Sequence, residues 1–166
     1  MTNGQVVQAL AVATAMLAAL GCADQPADGP PSSEEEQAVV QVVERFLRVA
    51  GRYDLDSIPP LFTANANIAA TSRRDGESVS STWTIDEWVA SLRARPNPRP
   101  YTEPVSEFTV YVDNGQLAFV RADATLMRDG RAQSHNIDYF TLILQDGTWK
   151  ILSGSYTTTP LDSQGG

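Results

Sequence analysis

Three dipeptides divide the second half of the chain into four segments with the composition of β-strands. They are Asn114-Gly115, Asp129-Gly130 and Asp146-Gly147, and each lies between runs of alternating apolar residues. Asn-Gly and Asp-Gly favour a two-residue hairpin turn, because both central positions of that turn need a positive φ. The sequence therefore predicts an antiparallel meander with the strands Tyr101–Val112, Gln116–Arg128, Gln133–Gln145 and Thr148–Thr157.

Helical patterns precede this meander. Apolar residues recur there at a spacing of three and four, which gives each segment one apolar face, and capping residues mark where the helices begin. The predicted helices are Glu35–Tyr53, a short one that begins at Asp54 or Asp56 and runs through Leu61-Phe62, and Ile85–Arg93 with Thr84 as its cap. Helices followed by a long meander predict an α+β domain with the helices on one face of a curved sheet.

Composition excludes several classes of function. The net charge is −8 and no cluster of lysine and arginine occurs, whereas nucleic-acid binding needs positive charge concentrated on one face. The single cysteine, Cys22, excludes an intrachain disulfide, and with the single histidine, His135, it forms no recognisable zinc motif. We therefore expect no nucleic-acid partner, no metal site and no cofactor.

Residues 1–22 have the pattern of an export signal. The stretch from Val6 to Leu20 is almost wholly apolar but short for a membrane span, as in the central region of a signal peptide. The Ala-Leu-Gly-Cys sequence that ends at Cys22 resembles a bacterial lipobox, in which the cysteine is lipidated. An ordinary secretory signal, or a start codon placed too far upstream, would also explain the pattern. The sequence thus predicts an exported protein, either secreted or a cell-envelope lipoprotein that meets the membrane only through Cys22.

Two polar segments flank the predicted domain. Residues 23–36 are rich in proline, glycine, serine and glutamate, a composition that favours extended, solvated backbone and predicts a disordered tether. Residues 159–166 are predicted to be a flexible tail. The folded domain is therefore expected to span residues 37–158.

Two groups of motifs in this domain resemble a known superfamily. The first is Phe46-Leu47, Tyr53-Asp54 and Leu61-Phe62, and the second is Asp138–Leu142 with Asp146–Ile151. Their order is similar to that of the nuclear-transport-factor-2-like superfamily, and within it to the SnoaL-like and lumazine-binding-like branch. The resemblance implies a cone of about three helices packed on a strongly bent antiparallel sheet that encloses a pocket. It implies no particular reaction, because the superfamily includes both enzymes and binders.

The turns also predict which residues share one face of the sheet. If each turn has two residues, Arg121 lies opposite Asp138 and Phe119 lies opposite Phe140. That face is apolar at one end and polar at the other, as small-molecule pockets are. The predicted ligand-binding residues are Tyr53, Phe108, Phe119, Arg121, Asn136, Phe140, Ser153 and Ser155.

Arg121 between Asp123 and Asp138 is the most distinctive polar group on this face. It is similar to the Asp-Arg-Asp set of limonene-epoxide-hydrolase-like relatives, which implies Asp123 and Asp138 as catalytic acid and base, oriented by Arg121. The alternative is a structural ion pair that fixes the strand register. A ketosteroid-isomerase-like site would need a neutral aspartic acid as a donor. Arg121 beside Asp138 would lower the pKa of that carboxyl, which argues against such a site.

The opposite face of the sheet is predicted to be too apolar for contact with solvent alone. Its predicted members include His135, Tyr111, Val120, Ala122, Ala124, Ile137, Tyr139 and Tyr156. Relatives commonly dimerise by packing these sheets together, so the resemblance implies a homodimer, with His135 as a face or rim residue rather than a catalyst.

Three functions remain open at this point. The first is non-catalytic binding of a small, partly apolar ligand, with Arg121 as the polar anchor. The second is a cofactor-free hydrolase, cyclase or dehydratase that uses Asp123 and Asp138. The third is an accessory domain that contacts other proteins and whose pocket is vestigial.

Overall fold

The computed structural model describes residues 33–74 and 76–161. The predicted signal segment, Cys22, most of the predicted tether and the end of the predicted tail lie outside these residues, so export and lipidation stay predictions. None of the helices in the described part of the chain is long and apolar enough to cross a membrane.

The first helix, α1, spans Glu34–Gly51 and begins inside the segment predicted as a tether. Its start is fixed by a capping box: the Ser33 hydroxyl accepts from the Glu36 amide at 3.1 Å, and the Ser33 amide donates to the Glu36 carboxylate at 3.0 Å. Such a box satisfies amides that would otherwise lack partners at a helix start. Ser33 is therefore the N-cap of α1, two residues before the helix start that the sequence predicts.

The second α-helix, α2, spans Ile85–Arg93, as predicted, with Thr84 and Glu87 forming its capping box. Between α1 and β1 the predicted short helix is present as two 3₁₀ turns, Leu55–Ser57 and Pro59–Leu61. Proline fits such tight turns because it needs no amide hydrogen bond at their start.

Six strands form one sheet in the order β2-β1-β6-β5-β4-β3. The strands are β1 (Phe62–Arg74), β2 (Glu77–Thr84), β3 (Val105–Asp113), β4 (Leu117–Arg128), β5 (Arg131–Gln145) and β6 (Thr148–Pro160). All neighbours are antiparallel except β1 and β6, which run parallel, so the sheet is mixed rather than antiparallel throughout. The predicted fold class is confirmed: the helices pack on one face of this sheet.

One extra residue lies in or beside each of the three hairpins, and it shifts the register that the turns predict. Gln116 is extra beside the first turn, where Asp113 pairs with Leu117. Gln133 is extra in β5, and Leu152 is extra in β6. A slip of one residue moves every following side chain to the opposite face, because side chains alternate along a strand.

Because the register shifts on both sides of β4, the side chains of this strand lie on the opposite face of the sheet from the one predicted. Its inward residues are small and buried: Ala118, Val120, Ala122 and Ala124. The predicted pairing of Arg121 with Asp138 was wrong, since Arg121 pairs with Tyr139 and Asp138 pairs with Ala122. The shift at Gln133 reverses the one at Gln116, so on β5 Asp138 and Phe140 face inward as predicted.

The core lies between α1, α2 and the inner face of the sheet. Phe46 of α1 is at its centre, with its ring centroid 5.1 Å from Phe62, 5.9 Å from Trp88 and 5.6 Å from Phe140. The contacts with Phe62 and Phe140 are edge-on, which is a favourable arrangement for aromatic rings at these distances. This cluster fills only part of the space under the helices, and a cavity remains beside it.

Candidate ligand cavity

A cavity of about 140 Å³ lies between the two helices and the inner face of the sheet. This is close to the engineered cavity of ~150 Å³ in another protein that binds benzene. Its apolar lining includes Phe46, Leu47, Ala50, Ile68, Trp88, Leu92, Leu126 and Phe140. Its polar lining is Tyr53, Arg95, Tyr101, Glu103, Arg128, Asn136, Asp138, Ser155, Tyr156 and Thr158. Apolar walls with converging polar groups are the usual construction of a small-molecule site.

A short segment, Tyr101–Pro104, crosses one side of the cavity, and we call it the strap. The Tyr101 amide donates to the Gly51 carbonyl at 2.9 Å, and the backbones of Thr102 and Met127 exchange hydrogen bonds of 3.0 and 2.8 Å. A Cβ at Gly51 would lie 2.5 Å from the Tyr101 carbonyl oxygen, so only glycine permits this approach. The strap was predicted as the start of a strand, whereas β3 begins only at Val105. Its position brings Tyr101 and Glu103 into the cavity.

Two carboxyl groups, those of Asp138 and Glu103, line this cavity together. The Asp138 residue is 5% exposed, and its Oδ2 atom has no hydrogen-bond partner in the described part of the chain. Burial, and then repulsion from Glu103, raise the pKa of Asp138 to about 8. Burial also raises the pKa of Glu103, against the opposing effect of a hydrogen bond from Asn136. Asp138 therefore holds a proton at neutral pH.

A buried polar chain fixes the orientation of Glu103. The Ser134 hydroxyl donates to the Asn136 side-chain oxygen at 3.1 Å, and the Asn136 amide nitrogen donates to Glu103 Oε1. Because the oxygen of Asn136 is occupied by Ser134, its NH₂ group is directed at the carboxylate. Asn136 is 4% exposed, so this series of hydrogen bonds lies on the buried inner face of the sheet and holds Glu103 from the sheet side.

Tyrosine and arginine side chains surround the carboxyl pair. Burial raises the pKa of Tyr101 and of Tyr156, and for Tyr156 a hydrogen bond with the Trp88 side chain and the charge of Arg95 oppose that shift. The Arg95 guanidinium donates to the Tyr53 hydroxyl at 3.3 Å. The hydroxyl groups of Tyr101 and Tyr156 are therefore neutral at physiological pH and can act as donors and acceptors.

A second guanidinium, that of Arg128, stacks against the strap. Its central carbon lies 5.9 Å from the centroid of the Tyr101 ring, and its Nε atom is buried without a hydrogen-bond partner in the described residues. A cation over an aromatic face is attracted by the ring's negative surface. Arg128 is thus held by Tyr101 rather than by either carboxyl group.

The structure divides the site residues that the sequence predicted into two groups. Those that border the cavity are Tyr53, Asn136, Phe140, Ser155 and Asp138. Phe108 packs against the core instead, and Ser153 pairs with Thr141 and does not line the cavity. Phe119, Arg121 and Asp123 lie on the outer face because β4 is inverted, so the predicted Asp123–Arg121–Asp138 set does not assemble.

This division overturns one argument about the chemistry of the site. Arg121 was expected to lower the pKa of Asp138 and so to prevent it from acting as a neutral donor. The structure separates these two residues and raises the pKa of Asp138 to about 8. The carboxyl that shares the cavity with Asp138 is that of Glu103, on the strap.

Arg121, Asp123 and His135 form a separate polar group on the outer face. Asp123 accepts hydrogen bonds from the His135 ring and, at 2.9 Å, from Arg121. The His135 hydrogen bond is the largest of the effects that lower the pKa of Asp123. Exposed apolar side chains on the same face include Tyr111, Leu117, Phe119 and Tyr139. Val120, Ala122, Ala124 and Tyr156, also predicted for this face, lie inside.

Several cavity residues carry little signal in the sequence. Tyr101 and Glu103 lie in a proline-flanked connector with no periodic pattern, and Arg95 and Arg128 are located only by the fold. Tyr156 was assigned to the wrong face, because the extra residue in β6 has no signature in the turn. Among the side chains that the structure describes, no cluster of histidine, cysteine, aspartate or glutamate is arranged to hold a metal ion.

The fold and cavity define an α+β cone domain of the nuclear-transport-factor-2-like kind. The chain belongs to the family described as "Putative lumazine-binding", whose model matches residues 34–157. No curated protein matches the chain.

Solved structures share this fold at low sequence identity. An NTF2-like protein of unknown function from Shewanella baltica OS155 is 19% identical, with a TM-score of 0.58 over 80% of this chain and 100% of that one. A protein of unknown function with a cystatin-like fold from Nostoc punctiforme PCC 73102 is 11% identical, with a TM-score of 0.60 over 75% and 90%. An NTF2-like protein from Novosphingobium aromaticivorans is 14% identical, with a TM-score of 0.56 over 79% and 84%.

Proposed function

We propose that this domain binds a small, partly apolar molecule in the cavity beneath its helices. The observation that carries the proposal is the Oδ2 atom of Asp138, which is buried in the cavity without a partner. Buried polar atoms almost always have hydrogen-bond partners, and one left without costs about 1–3 kcal/mol. A ligand that supplies the partner recovers this cost. The family description also names a bound small molecule.

The size and lining of the cavity limit what fits. At about 140 Å³ it accommodates roughly one aromatic ring. The rings of Phe46, Trp88 and Phe140 offer flat apolar surfaces, while Asn136 and Asp138 offer polar contacts at the sheet side. This arrangement favours a compact planar or globular ligand with at least one polar group.

The test is ligand-observed and protein-observed NMR with a set of ring-sized fragments on residues 33–161. We expect binders to shift the Trp88 indole resonance. Ala50→Leu fills the cavity from α1 and should abolish this shift, whereas Ala90→Leu adds the same side chain on the exposed face of α2 and should not. Fragments that bind Ala50→Leu as well as the wild type, or that leave Trp88 unmoved, would refute the cavity as the site.

A second candidate function is acid–base catalysis, and the paired carboxyl groups favour it. A group with a pKa near the working pH is the most effective proton donor or acceptor, and the pKa of Asp138 is about 8. In this function Asp138 donates a proton and Glu103 accepts one, so the enzyme would use these residues rather than Asp123 and Arg121. Asp138→Asn should abolish turnover of a substrate while leaving its binding in place. Retained turnover would exclude the role.

Homodimerisation through the outer face is a further part of this proposal. Tyr111, Phe119 and Tyr139 form a row, with ring centroids 6.4 and 5.8 Å apart, and Tyr111 is 58% exposed. Contiguous exposed apolar groups of this kind usually mark interfaces. Sedimentation velocity on residues 33–161 tests it, and a monomer at all concentrations would count against it.

A further inference from the structure

We infer that the ligand of this cavity is a small organic cation, an amine or quaternary ammonium on a compact apolar body, bound between Glu103, Asp138 and the aromatic walls. This inference rests on the proposed binding function and gives the chemical class of the ligand. It is carried by three features of the cavity: a carboxyl pair that makes no ion pair, a wall lined by aromatic rings, and two arginines that contact tyrosines rather than these carboxyl groups.

In the described part of the chain, neither carboxyl group of the pair forms an ion pair. Ion pairs among the side chains that the structure describes involve the carboxylates of Asp56, Asp123 and Asp129, and neither Glu103 nor Asp138 takes part in one. Two acidic groups in one cavity without a counter-charge are costly unless one stays protonated or a cation arrives. The unpartnered Oδ2 atom of Asp138 marks the position at which such a cation would bind.

Aromatic rings make up much of the rest of the wall. Those that line the cavity are Phe46, Tyr53, Trp88, Tyr101, Phe140 and Tyr156. The faces of such rings attract cations, and cages of aromatic rings are a recurrent way to recognise alkylammonium groups. Rings and carboxyl groups together suit a charged nitrogen with apolar substituents better than they suit an anion.

Each of the two arginines of the cavity contacts a tyrosine rather than a carboxyl group. Arg95 donates to the Tyr53 hydroxyl, and Arg128 lies over the Tyr101 ring. Neither lies within 4.0 Å of a carboxylate oxygen of the pair. A ligand cation is therefore expected at the Asp138 end of the cavity, which the guanidinium groups leave free.

Binding of a cation should be linked to the release of a proton. The ionisable and charged groups that face Asp138 are Tyr53 after α1, Arg95 after α2, Tyr101 and Glu103 on the strap, Arg128 on β4 and Tyr156 on β6. Of these, Glu103 is the one whose proximity raises the pKa of Asp138. An ammonium group that enters replaces the proton of the pair: the Asp138 O–H bond breaks, the proton goes to solvent, and the carboxylate pairs with the ligand. A neutral acceptor would instead need the proton to stay.

The experiment is isothermal titration calorimetry on residues 33–161 with three probes of the same ring. Benzylamine is a cation, benzyl alcohol is neutral and benzoate is an anion over pH 5.5–8.5. We expect benzylamine to bind most tightly, with an affinity that rises about tenfold per pH unit below the Asp138 pKa of about 8. Titrations at pH 6.5 in two buffers of different ionisation enthalpy should show release of about one proton per ligand.

Two variants separate this inference from the fold. Asp138→Asn keeps the shape of the side chain and should remove both the pH dependence and most of the benzylamine affinity, while benzyl alcohol binding persists. Asp123→Asn, on the outer face, is the matched control and should leave all three titrations unchanged. Benzyl alcohol binding in preference to benzylamine, or a benzylamine affinity that is flat or falls with pH, would overturn the cationic class and leave the binding function standing. If none of the three probes binds, both fail.

Discussion

Replacing Asp138 by asparagine should stabilise the domain, and increasingly so as the pH rises. The folded-state pKa of Asp138 is about 8, against 3.8 for the ordinary group. Between these values the folded protein keeps the proton while the unfolded chain has released it. The free energy of unfolding of the wild type therefore falls as the pH rises through this window. Asparagine does not ionise, so the variant lacks this loss.

The magnitude follows from the width of that window. Each unit of pKa difference corresponds to about 1.4 kcal/mol, so the difference between 3.8 and about 8 gives a loss on the order of 6 kcal/mol. The effect is small below pH 4 and complete above pH 8. Asparagine also offers an NH₂ group where Asp138 has an unpartnered oxygen, which adds a hydrogen-bond donor beside Glu103.

The assay is urea unfolding of both proteins at pH 5, 6, 7 and 8. We expect the variant to gain about 1.4 kcal/mol per pH unit over the wild type, with unchanged m-values. Asp123→Asn should instead lower the stability by the same amount at all four pH values: His135 and Arg121 lower the pKa of Asp123 from its ordinary value of 3.8, so its contribution is lost only below about pH 4. A difference between Asp138→Asn and the wild type that does not change with pH would refute the assignment of a raised pKa to Asp138.

Three further changes test the fold. Ser33→Ala removes the capping box of α1 and should cost about 1 kcal/mol in urea unfolding; an unchanged midpoint would show that the helix start is not fixed there. Gly51→Ala places a Cβ against the Tyr101 carbonyl, so we expect a loss of about 1–3 kcal/mol, and no loss would mean that the strap moves freely. Phe119→Glu puts a charge on the outer face, where Phe119 is 38% exposed. It should convert a dimer to a monomer in sedimentation velocity with little change in the stability of the monomer, and a dimer that persists would place the interface elsewhere.

The features that the sequence predicted best are those decided within a few residues. The helix over Ile85–Arg93 depends on a capping box that spans the four residues from Thr84 to Glu87, and the turns at Asn114, Asp129 and Asp146 adopt the positive φ that their type requires. Capping boxes and turns of this kind depend only on residues that are neighbours in the sequence. The elements and the fold class could therefore be predicted from it.

The candidate site could not be predicted in the same way, because it depends on register. A single extra residue, such as Gln133, leaves no mark in the turn but moves a whole strand face. One signal was present in β4: its inward residues, Ala118 to Ala124 at every second position, are all apolar, while the alternate set contains Arg121 and Asp123. The larger side chains of Phe119 and Leu117 favour the other face as the core face, but α1 packs on β4 and the residues beneath it are small.

The parallel pairing of β1 with β6 has a consequence for the order in which the protein assembles. β1 ends at Arg74, and β6 begins only at Thr148, yet β6 is what joins the β1–β2 hairpin to the rest of the sheet. On the ribosome, the hairpin and the apolar faces of α1 and α2 are made long before the strand that completes their support. Contacts that span so much sequence form late and slowly. The time between synthesis of the first hairpin and of the last strand is therefore the period in which the nascent chain exposes most apolar surface and has most need of chaperones.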